Sequence, residues 1–422
     1  MATFPYYTEP THDQGVVTQA SGNAARTTAV SSAEGRLVLD VADKIMLLEP
    51  NKHPLVALLT NVGKVYDGKA WTGSGIMKAA AGNPEFGWLE DYMGGRYAKV
   101  SGTYSTGAVT ITVTGAGSSS AYIFTVGDVI KNARTGENML VATIASATTI
   151  TVASGGRAFG TTAAAAGADG DGLFIVGNVN EENAGARNVN TTRSAKETNY
   201  CQIFKTTISV SNTEKEANLY GAKDLPYLRA KMGTQHGLDI ERAFWFGEKK
   251  SDTSGTMGHP RRATGGVLEF IEGGNSYVQN QGGVLTAPDF NTFLREGFTY
   301  GNSTKTLFCG GLVLQAINEF ARGQIRMRPL EKSYGMQIGE YVTAFGTVNL
   351  VHNPLFVQDY AGSAFLLDMD CLKYRYMNNR DTRLLTNVQA PDVDGQIDQY
   401  VSEVGLQRMQ APKHALLKGV TA

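Results

Sequence analysis

The fold is decided by residues 380–406, which read RDTRLLTNVQAPDVDGQIDQYVSEVGL. This stretch predicts paired strands over 381–389 and 397–407 that return to pack on a long helix earlier in the chain. A second informative stretch, NPEFGWLED at 83–91, lies in an extended, glycine-punctuated region with interspersed aromatic residues. Neither stretch holds a recognisable catalytic constellation, so we interpret both as structural.

The clearest helix is predicted at Asp224–Phe246. Its apolar face is formed by residues at steps of three and four, namely Leu225, Leu228, Met232, His236, Ile240 and Ala243. Asp224 can cap the first turn, and Pro226 suits a helix start. At about 1.5 Å per residue this helix is ~33 Å long, enough to act as a strut. We predict that His236 is a core histidine with satisfied hydrogen bonds and not a ligand.

The chain after this helix predicts a compact α+β domain over residues 281–372. Amphipathic helices are expected at 289–298 and 312–322, on either side of a buried strand at 306–309. Further strands are expected at 347–352, 364–372 and 374–377. Asp368 and Asp370 are expected at a solvated strand edge and not at a cation site.

Residues 101–179 differ from their surroundings, because they carry few charges and several alternating β-branched runs. The runs are VTITV (109–113), MLVATI (139–144), TITVA (149–153) and FIV (174–176). Short strands at this spacing predict a small antiparallel barrel or sandwich. It is inserted into an extended hairpin, residues 61–100 and 180–211, whose return strand is expected at 200–210. A mere spacer and an outward-facing or interface-stabilising module both remain open as its role.

The length of 422 residues suggests about two to three domains of ~150 residues and allows a large core without disulfides or metals. Lysine plus arginine number 38 and aspartate plus glutamate 39, which gives a net charge of −1. A dedicated nucleic-acid binder usually has a basic excess, since its affinity comes from counterion release. Any contact with DNA is therefore expected to be weak, local and independent of sequence.

The three cysteines, Cys201, Cys309 and Cys371, are widely spread and form no C-x-x-C pair. We therefore predict buried free thiols in a reducing compartment. The N-terminus lacks the basic and apolar regions of a signal peptide. No stretch approaches the ~20 apolar residues needed to span a bilayer. These features predict synthesis in the cytoplasm and no membrane contact.

Motifs that carry chemistry are missing from the sequence. It has no G-x-x-x-x-G-K-[ST] phosphate loop and no G-x-S-x-G nucleophile elbow. The six histidines show no spacing typical of metal ligands. We therefore expect no enzyme, no catalytic residue, no cofactor and no metal.

The stretches at 380–406 and 83–91 resemble segments of the major capsid proteins of tailed bacteriophages, in a group with a β-rich insertion. Three further stretches fit the same family: HPLVALLTNVGK (53–64), DIERAFWFGEKK (239–250) and HPRRATGGVLEFI (259–271). The resemblance runs from about residue 41 to the C-terminus. At residues 101–179 only the general character of the insertion matches.

The resemblance implies the tailed-phage major capsid fold, an α+β fold with an inserted small all-β domain. Its parts are an N-terminal arm (1–35), N-terminal helices (36–60), the extended loop hairpin, a peripheral domain with the spine helix (212–280 and 373–422) and an axial domain (281–372). The arm is too polar to fold alone. In the family resembled, it becomes ordered by lying on a neighbouring subunit.

The function implied is that of a major capsid protein, which assembles as pentamers and hexamers into an icosahedral shell around double-stranded DNA. The expected partners are further copies of the chain, a portal protein and possible scaffolding or decoration proteins. The expected location is the virion capsid, assembled in the host cytoplasm. An encapsulin-type compartment shares the fold and is one alternative. A β-rich carbohydrate-binding or adhesive surface protein is an alternative from another class.

Five residues are predicted to form contacts between subunits. Phe86 and Trp88 are expected as aromatic anchors, because large aromatic side chains dominate interface energetics. Arg380, Asp381 and Arg383 are expected as charged contacts. For each residue, packing within the subunit or a solvated face is the competing interpretation.

Overall fold

The computed structural model describes residues 54–60, 78–114, 120–153, 155–161, 163–216, 224–254, 258–324, 328–329 and 338–421. The predicted arm, residues 36–53 of the predicted N-terminal helices and residues 61–77 of the predicted hairpin lie outside this range. The chain divides into two compact units. One comprises Leu89–Glu197, and the other comprises Met1–Trp88 together with Thr198–Ala422.

The described residues contain six α-helices, several short 3₁₀ turns and 22 strands. The helices are α1 (Pro54–Thr60), α2 (Asn212–Glu216), α3 (Asp224–Phe246), α4 (Val267–Gly273), α5 (Ala287–Gly297) and α6 (Gly311–Gln324). The first strands are β1 (Lys78–Ala81), β2 (Glu85–Glu90), β3 (Tyr97–Val100), β4 (Thr110–Thr114), β5 (Asp128–Asn132), β6 (Asn138–Ser146), β7 (Thr149–Val152), β8 (Gly172–Asn178), β9 (Ala195–Tyr200), β10 (Gln202–Ser211), β11 (Lys250–Asp252) and β12 (Arg261–Ala263). The remaining strands are β13 (Tyr277–Val284), β14 (Thr304–Cys309), β15 (Arg328–Pro329), β16 (Ile338–Val342), β17 (Thr347–His352), β18 (Ala364–Leu367), β19 (Leu372–Met377), β20 (Arg383–Leu385), β21 (Gly395–Arg408) and β22 (Ala415–Thr421).

The unit Leu89–Glu197 is built on a closed barrel of six strands in the order β3-β4-β7-β6-β5-β8. All neighbouring strands are antiparallel. Inward and outward residues alternate, as in β4, where Ile111 and Val113 are fully buried while the flanking threonines are exposed. The four β-branched runs noted in the sequence lie in β4, β6, β7 and β8.

The other unit contains helix α3 and a five-stranded sheet in the order β1-β19-β21-β10, with β20 also paired to β21. Helix α3 spans the predicted residues, and its C-terminal half is the more buried. Strand β10 pairs antiparallel with β21 from Gln202 opposite Val404 to Ser211 opposite Gly395. The expected return strand of the hairpin is therefore divided, since β9 pairs with β2 and β10 joins the C-terminal region.

A seven-stranded sheet in the order β13-β22-β18-β14-β17-β16-β15 has central strands buried on both faces. In β14, Leu307 packs in one apolar core with α5 and α6, while Phe308 packs in another core with α1, α3 and α4. The same alternation in β18 assigns Leu366 to the first core and Phe365 to the second. Strands covered on both faces are nearly continuous apolar runs, and this pattern is why β14 was predicted to be a buried strand.

Two elements differ from the prediction in this sheet. The strand expected at 364–372 is broken, because the Asp368 carboxylate accepts the Asp370 N–H and starts a 3₁₀ turn at Met369–Cys371. Asp368 is buried and also accepts hydrogen bonds from the backbone and side chain of Asn302, so the expected solvated edge is wrong for Asp368, whereas Asp370 is exposed. The final strand β22 pairs with β13 and β18, although the sequence grouped residues 373–422 with the spine helix.

His236 is a satisfied core histidine, as predicted. Its side chain is buried on α3, with Nδ1 2.9 Å from Thr206 Oγ1 and Nε2 2.6 Å from Ser402 Oγ. Both ring nitrogens thus have hydroxyl partners on the strands beneath the helix. The three cysteines are buried and free, also as predicted.

Acid is expected to weaken the packing around His236. Burial lowers the pKa of this imidazole from its ordinary value of 6.5. Below about pH 6.5 the unfolded chain therefore binds a proton that folded His236 resists, and stability falls as the pH falls. Between pH 7.5 and 5.5 the unfolding free energy of the wild type should therefore fall relative to that of His236→Gln. His259→Gln, at an exposed histidine, should keep the wild-type slope. Equal slopes in His236→Gln and the wild type would contradict this.

No described helix is both long and apolar enough to span a bilayer. Over the same residues, no group of three or more His, Cys, Asp or Glu side chains is placed to hold a metal ion.

Candidate subunit-contact surface

Phe86 and Trp88 lie on strand β2 with their rings 6.2 Å apart. Phe86 is buried against Ala81 and Cys201, and Trp88 packs at the edge of this small cluster. The Phe86 ring also lies against Gly405 of β21, where an added Cβ would come within 2.8 Å of it. The ring fits at this position because residue 405 has no Cβ. Phe86 thus has its main contacts inside its own chain.

The three charged candidates lie in and beside β20. Arg380 Nε is 2.6 Å from Glu403 Oε2, and Asp381 forms an ion pair with Lys78. Arg383 is exposed, and the described residues offer it no ion-pair partner. Residues 403 and 405 of β21 share one face, so Arg380 and Phe86 converge there. Four of the five candidates have contacts within the chain, and their role between subunits stays a prediction.

The end of β2 and the residues that follow it carry exposed apolar side chains that were not singled out in the sequence. Leu89 is 72% exposed and Met93 is 94% exposed. Tyr92 is also partly exposed, although its hydroxyl donates to the Glu90 carboxylate at 2.7 Å. Burial and this hydrogen bond raise the pKa of Tyr92, so the phenol stays protonated. Large apolar groups held in water are characteristic of a surface that is covered in an assembly.

A strap formed by residues 187–192 is tied to the barrel unit by three side chains. Arg187 donates to Asp128 Oδ1 at 2.7 Å, and Asn190 Nδ2 donates to the carbonyls of Tyr122 and Ile123 at 3.2 Å. Thr192 donates to the carbonyl of Tyr92 at 2.6 Å. Between this strap and residues 91–96 lies a groove of about 510 Å³.

The groove combines apolar surface with charged side chains of both signs, among them Asp91, an exposed carboxylate whose Oδ1 accepts the Tyr92 N–H and the Thr192 hydroxyl. Its walls include Tyr92, Met93 and Ile123, while Arg187 is already neutralised by Asp128. Arg96 also lines the groove and is exposed. Within the part of the chain that the structure describes, its guanidinium makes no ion pair or side-chain hydrogen bond. Arg96 is therefore the cation of the groove that is available to an incoming acidic group, and it has apolar neighbours.

The outer face of the barrel continues this surface beyond Arg96. Tyr97 of β3 lies directly opposite Phe174 of β8, and both side chains point outward. Val176 follows on the same outward face of β8. Tyrosine, phenylalanine, methionine and arginine are the residue types enriched at protein–protein contacts. This patch was not predicted from the sequence, because Phe174 and Val176 belong to an apolar run that is typical of a buried strand.

One protein-family model, described as SU10 major capsid protein, matches residues 17–421 of the chain. No curated protein sequence matches this chain. Among solved structures, the capsid of a native GTA particle aligns over 94% of this chain and 100% of that one, at 10% identity and a TM-score of 0.46. Microbacterium phage Oxtober96 aligns over 92% and 97%, at 10% identity and a TM-score of 0.44.

The holo-SrpI encapsulin complex from Synechococcus elongatus PCC 7942 aligns over 55% of this chain and 77% of that one, at 10% identity and a TM-score of 0.39. These structural likenesses are distant. The assignment of the chain rests on the family match, which spans nearly all of the sequence.

Proposed function

Because the chain belongs to the SU10 major capsid protein family, we propose that its copies assemble as pentamers and hexamers into an icosahedral shell around double-stranded DNA. The chain is a shell protein of a tailed phage with the α+β major capsid fold, and it belongs to the virion capsid. The match over residues 17–421 is the observation that carries the proposal.

The geometry of the subunit supports assembly. Leu89 and Met93 expose large apolar groups, and the paired aromatic residues Tyr97 and Phe174 do the same on the barrel. Rings of five and six copies need heterologous contacts, in which different patches of neighbouring copies meet. A surface of this composition supplies such a patch.

The charge balance supports a passive relation to the packaged DNA. With a net charge of −1, the chain lacks the basic excess that gives strong counterion-driven binding. The shell is therefore expected to enclose the DNA without binding it strongly. A portal protein, possible scaffolding or decoration proteins and assembly in the host cytoplasm complete the proposal, as expected for a coat protein.

An encapsulin-type compartment is the second candidate, on grounds of fold alone. The two functions differ in cargo, since a virion shell holds DNA and a compartment holds protein. Particles purified from infected cells and treated with nuclease should retain protected double-stranded DNA. Particles that protect no DNA and contain a co-purifying enzyme would favour the compartment.

The N-terminal arm is expected to act between subunits. Deleting residues 2–35 should leave a folded subunit, because that segment is too polar to contribute a core. Shell closure should nevertheless be impaired, since each subunit loses the contact that the arm of its neighbour would provide. Circular dichroism would report folding, and sedimentation velocity would report closed particles. Normal-sized particles from the truncated protein would contradict this role of the arm.

A further inference from the structure

We propose that the groove beside Arg96 is a contact to a second copy of this chain, in which Arg96 pairs with the acidic turn at Glu181 and Glu182 of that copy. This inference rests on the proposed assembly of copies into a shell. It identifies a surface and a charge pair that would take part in that assembly.

The cation side of the contact is preorganised. The strap anchored by Arg187, Asn190 and Thr192 fixes one wall of the groove, and the Arg96 backbone carbonyl accepts the Ile175 N–H at 2.9 Å. Arg96 is thus held next to strand β8 while its guanidinium remains in solvent. Such a cation can pair with an incoming carboxylate without first giving up a partner in its own chain.

The acidic side is a tight turn with matching chemistry. The Ala184 N–H donates to the Glu181 carbonyl at 3.2 Å, and Asn183 adopts a left-handed conformation with a φ of 62°. Glu181 and Glu182 are exposed, and among the described residues neither has an ion-pair partner. Val179 beside them is exposed as well. The turn therefore presents two carboxylates and an apolar group, which complement the Arg96 guanidinium and the Tyr92 and Met93 side chains.

A second copy is favoured over another protein as the occupant because both halves of the match are present in this one chain. Every copy then carries a receptor groove and an acidic turn, as a repeating contact in a shell requires. Complementary charge also aligns the approach of copies and disfavours wrong pairings.

Charge reversal tests the pairing in the full-length protein. Arg96→Glu, and separately the double variant Glu181→Arg/Glu182→Arg, should each reduce the yield of assembled particles roughly tenfold, because like charges then face each other. The triple variant that carries all three reversals should recover most of the wild-type yield. Lys196→Glu, at an exposed lysine of the same unit, makes the same charge change as Arg96→Glu and should assemble normally. Circular dichroism should show all variants folded.

A cross-linking experiment detects the contact even if closed shells do not form. An Arg96→Cys protein mixed with a Glu182→Cys protein should give a disulfide-linked dimer on a non-reducing gel, and neither protein alone should do so. The native cysteines are buried and free, so they give little background. A cross-link without shells supports the contact and contradicts the proposed shell function. Shells without a cross-link, or unimpaired assembly of Arg96→Glu, overturn the contact. Arg96→Glu shells that form normally but lose a bound decoration protein also overturn it.

Discussion

Replacing Glu241 with alanine is expected to lower the free energy of unfolding of the subunit by about 3–5 kcal/mol, because three buried N–H donors lose their acceptor. Glu241 is fully buried on α3, and its two carboxylate oxygens accept the backbone N–H groups of Leu55 and Val56 at 3.0 and 2.7 Å. The indole of Trp245 donates to the same carboxylate at 2.8 Å. The first two donors belong to the start of α1, which lacks intrahelical acceptors for them.

The loss should be concentrated where α1 meets α3. Hydrogen exchange of unassembled subunits should show faster exchange of the α1 amides in Glu241→Ala than in the wild type. Glu248→Ala removes an exposed glutamate just beyond the end of α3 and should leave both exchange and stability unchanged. Glu241→Gln keeps one acceptor oxygen and should cost less, about 1–3 kcal/mol. Wild-type stability in Glu241→Ala would refute the assigned role of the carboxylate.

The same residue should give the wild type a distinctive dependence on pH. Burial raises the pKa of Glu241 to about 7 from 4.5, despite the three N–H groups that favour the ionised form. Between these values the folded chain binds a proton that the unfolded chain lacks, so this contribution to stability rises as the pH falls. From pH 8 to 5 the wild type should gain roughly 3 kcal/mol relative to Glu241→Gln. A constant difference between the two proteins would contradict the shifted pKa.

The second large effect is expected in the barrel, where Arg157→Ala should cost about 3–5 kcal/mol by stranding a buried carboxylate. Arg157 forms a two-point ion pair with Glu137, with Nε 2.7 Å from Oε1 and Nη2 2.9 Å from Oε2. The guanidinium also donates to the carbonyls of Ala108 and Ala165 at 2.7 Å. Glu137 is 1% exposed, and water cannot replace the lost partner.

The acid behaviour of Glu137 provides a check on this ion pair. Burial alone would raise its pKa, but Arg157 and the N–H groups of Ala158 and Ala165 overcome that effect and lower it below 4.5. The stability from the pair is therefore present above about pH 4.5 and is lost as the pH falls through the lowered pKa. The difference between the wild type and Arg157→Ala should shrink in acid.

Arg134→Ala provides the comparison, because Arg134 is largely exposed, and its buried partner Asp171 keeps hydrogen bonds from Asn132 Nδ2 and the Ala168 N–H when the guanidinium is removed. It should destabilise the protein less than Arg157→Ala does. Thermal unfolding of unassembled subunits, together with hydrogen exchange over the barrel strands, would measure both variants. Equal effects of the two substitutions would show that burial of the arginine does not control the loss.

Regular periodicity made much of the fold predictable. Helix α3 has its apolar residues at helical spacing over its whole length, and the structure reproduces the predicted bounds. The runs of β4 and β14 are simple as well, since the first alternates between faces and the second is buried on both. In each case the local sequence pattern and the residues that pack on the element favour the same structure, so the pattern alone was enough to predict it.

Pairings between distant segments were not predictable from local pattern. Strand β22 joins the sheet of β18 through backbone hydrogen bonds, which leave no trace in its own sequence. Lys305 lies in the apolar strand β14, where its ammonium is buried and donates to the carbonyls of Gly297, Tyr300 and Lys413 at 2.6, 2.7 and 2.6 Å. These acceptors come from separate parts of the chain and no periodicity points to them.

The candidate contacts show the same limit. The aromatic residues in 83–91 led to the prediction of subunit contacts on β2, but the structure turns Phe86 inward and leaves Leu89 and Met93 exposed. Burial of one face of a short strand is decided by what packs on it, here Gly405 of β21. The groove beside Arg96 depends on the strap at 187–192, which carries no secondary-structure signal.

Electron microscopy of the protein expressed alone, with light scattering on the same sample, tests most directly whether the chain builds a shell. Closed polyhedral shells, or rings of five and six copies, are expected at concentrations where the subunits are folded. A strictly monomeric 45.2 kDa species that persists at high concentration would contradict this expectation.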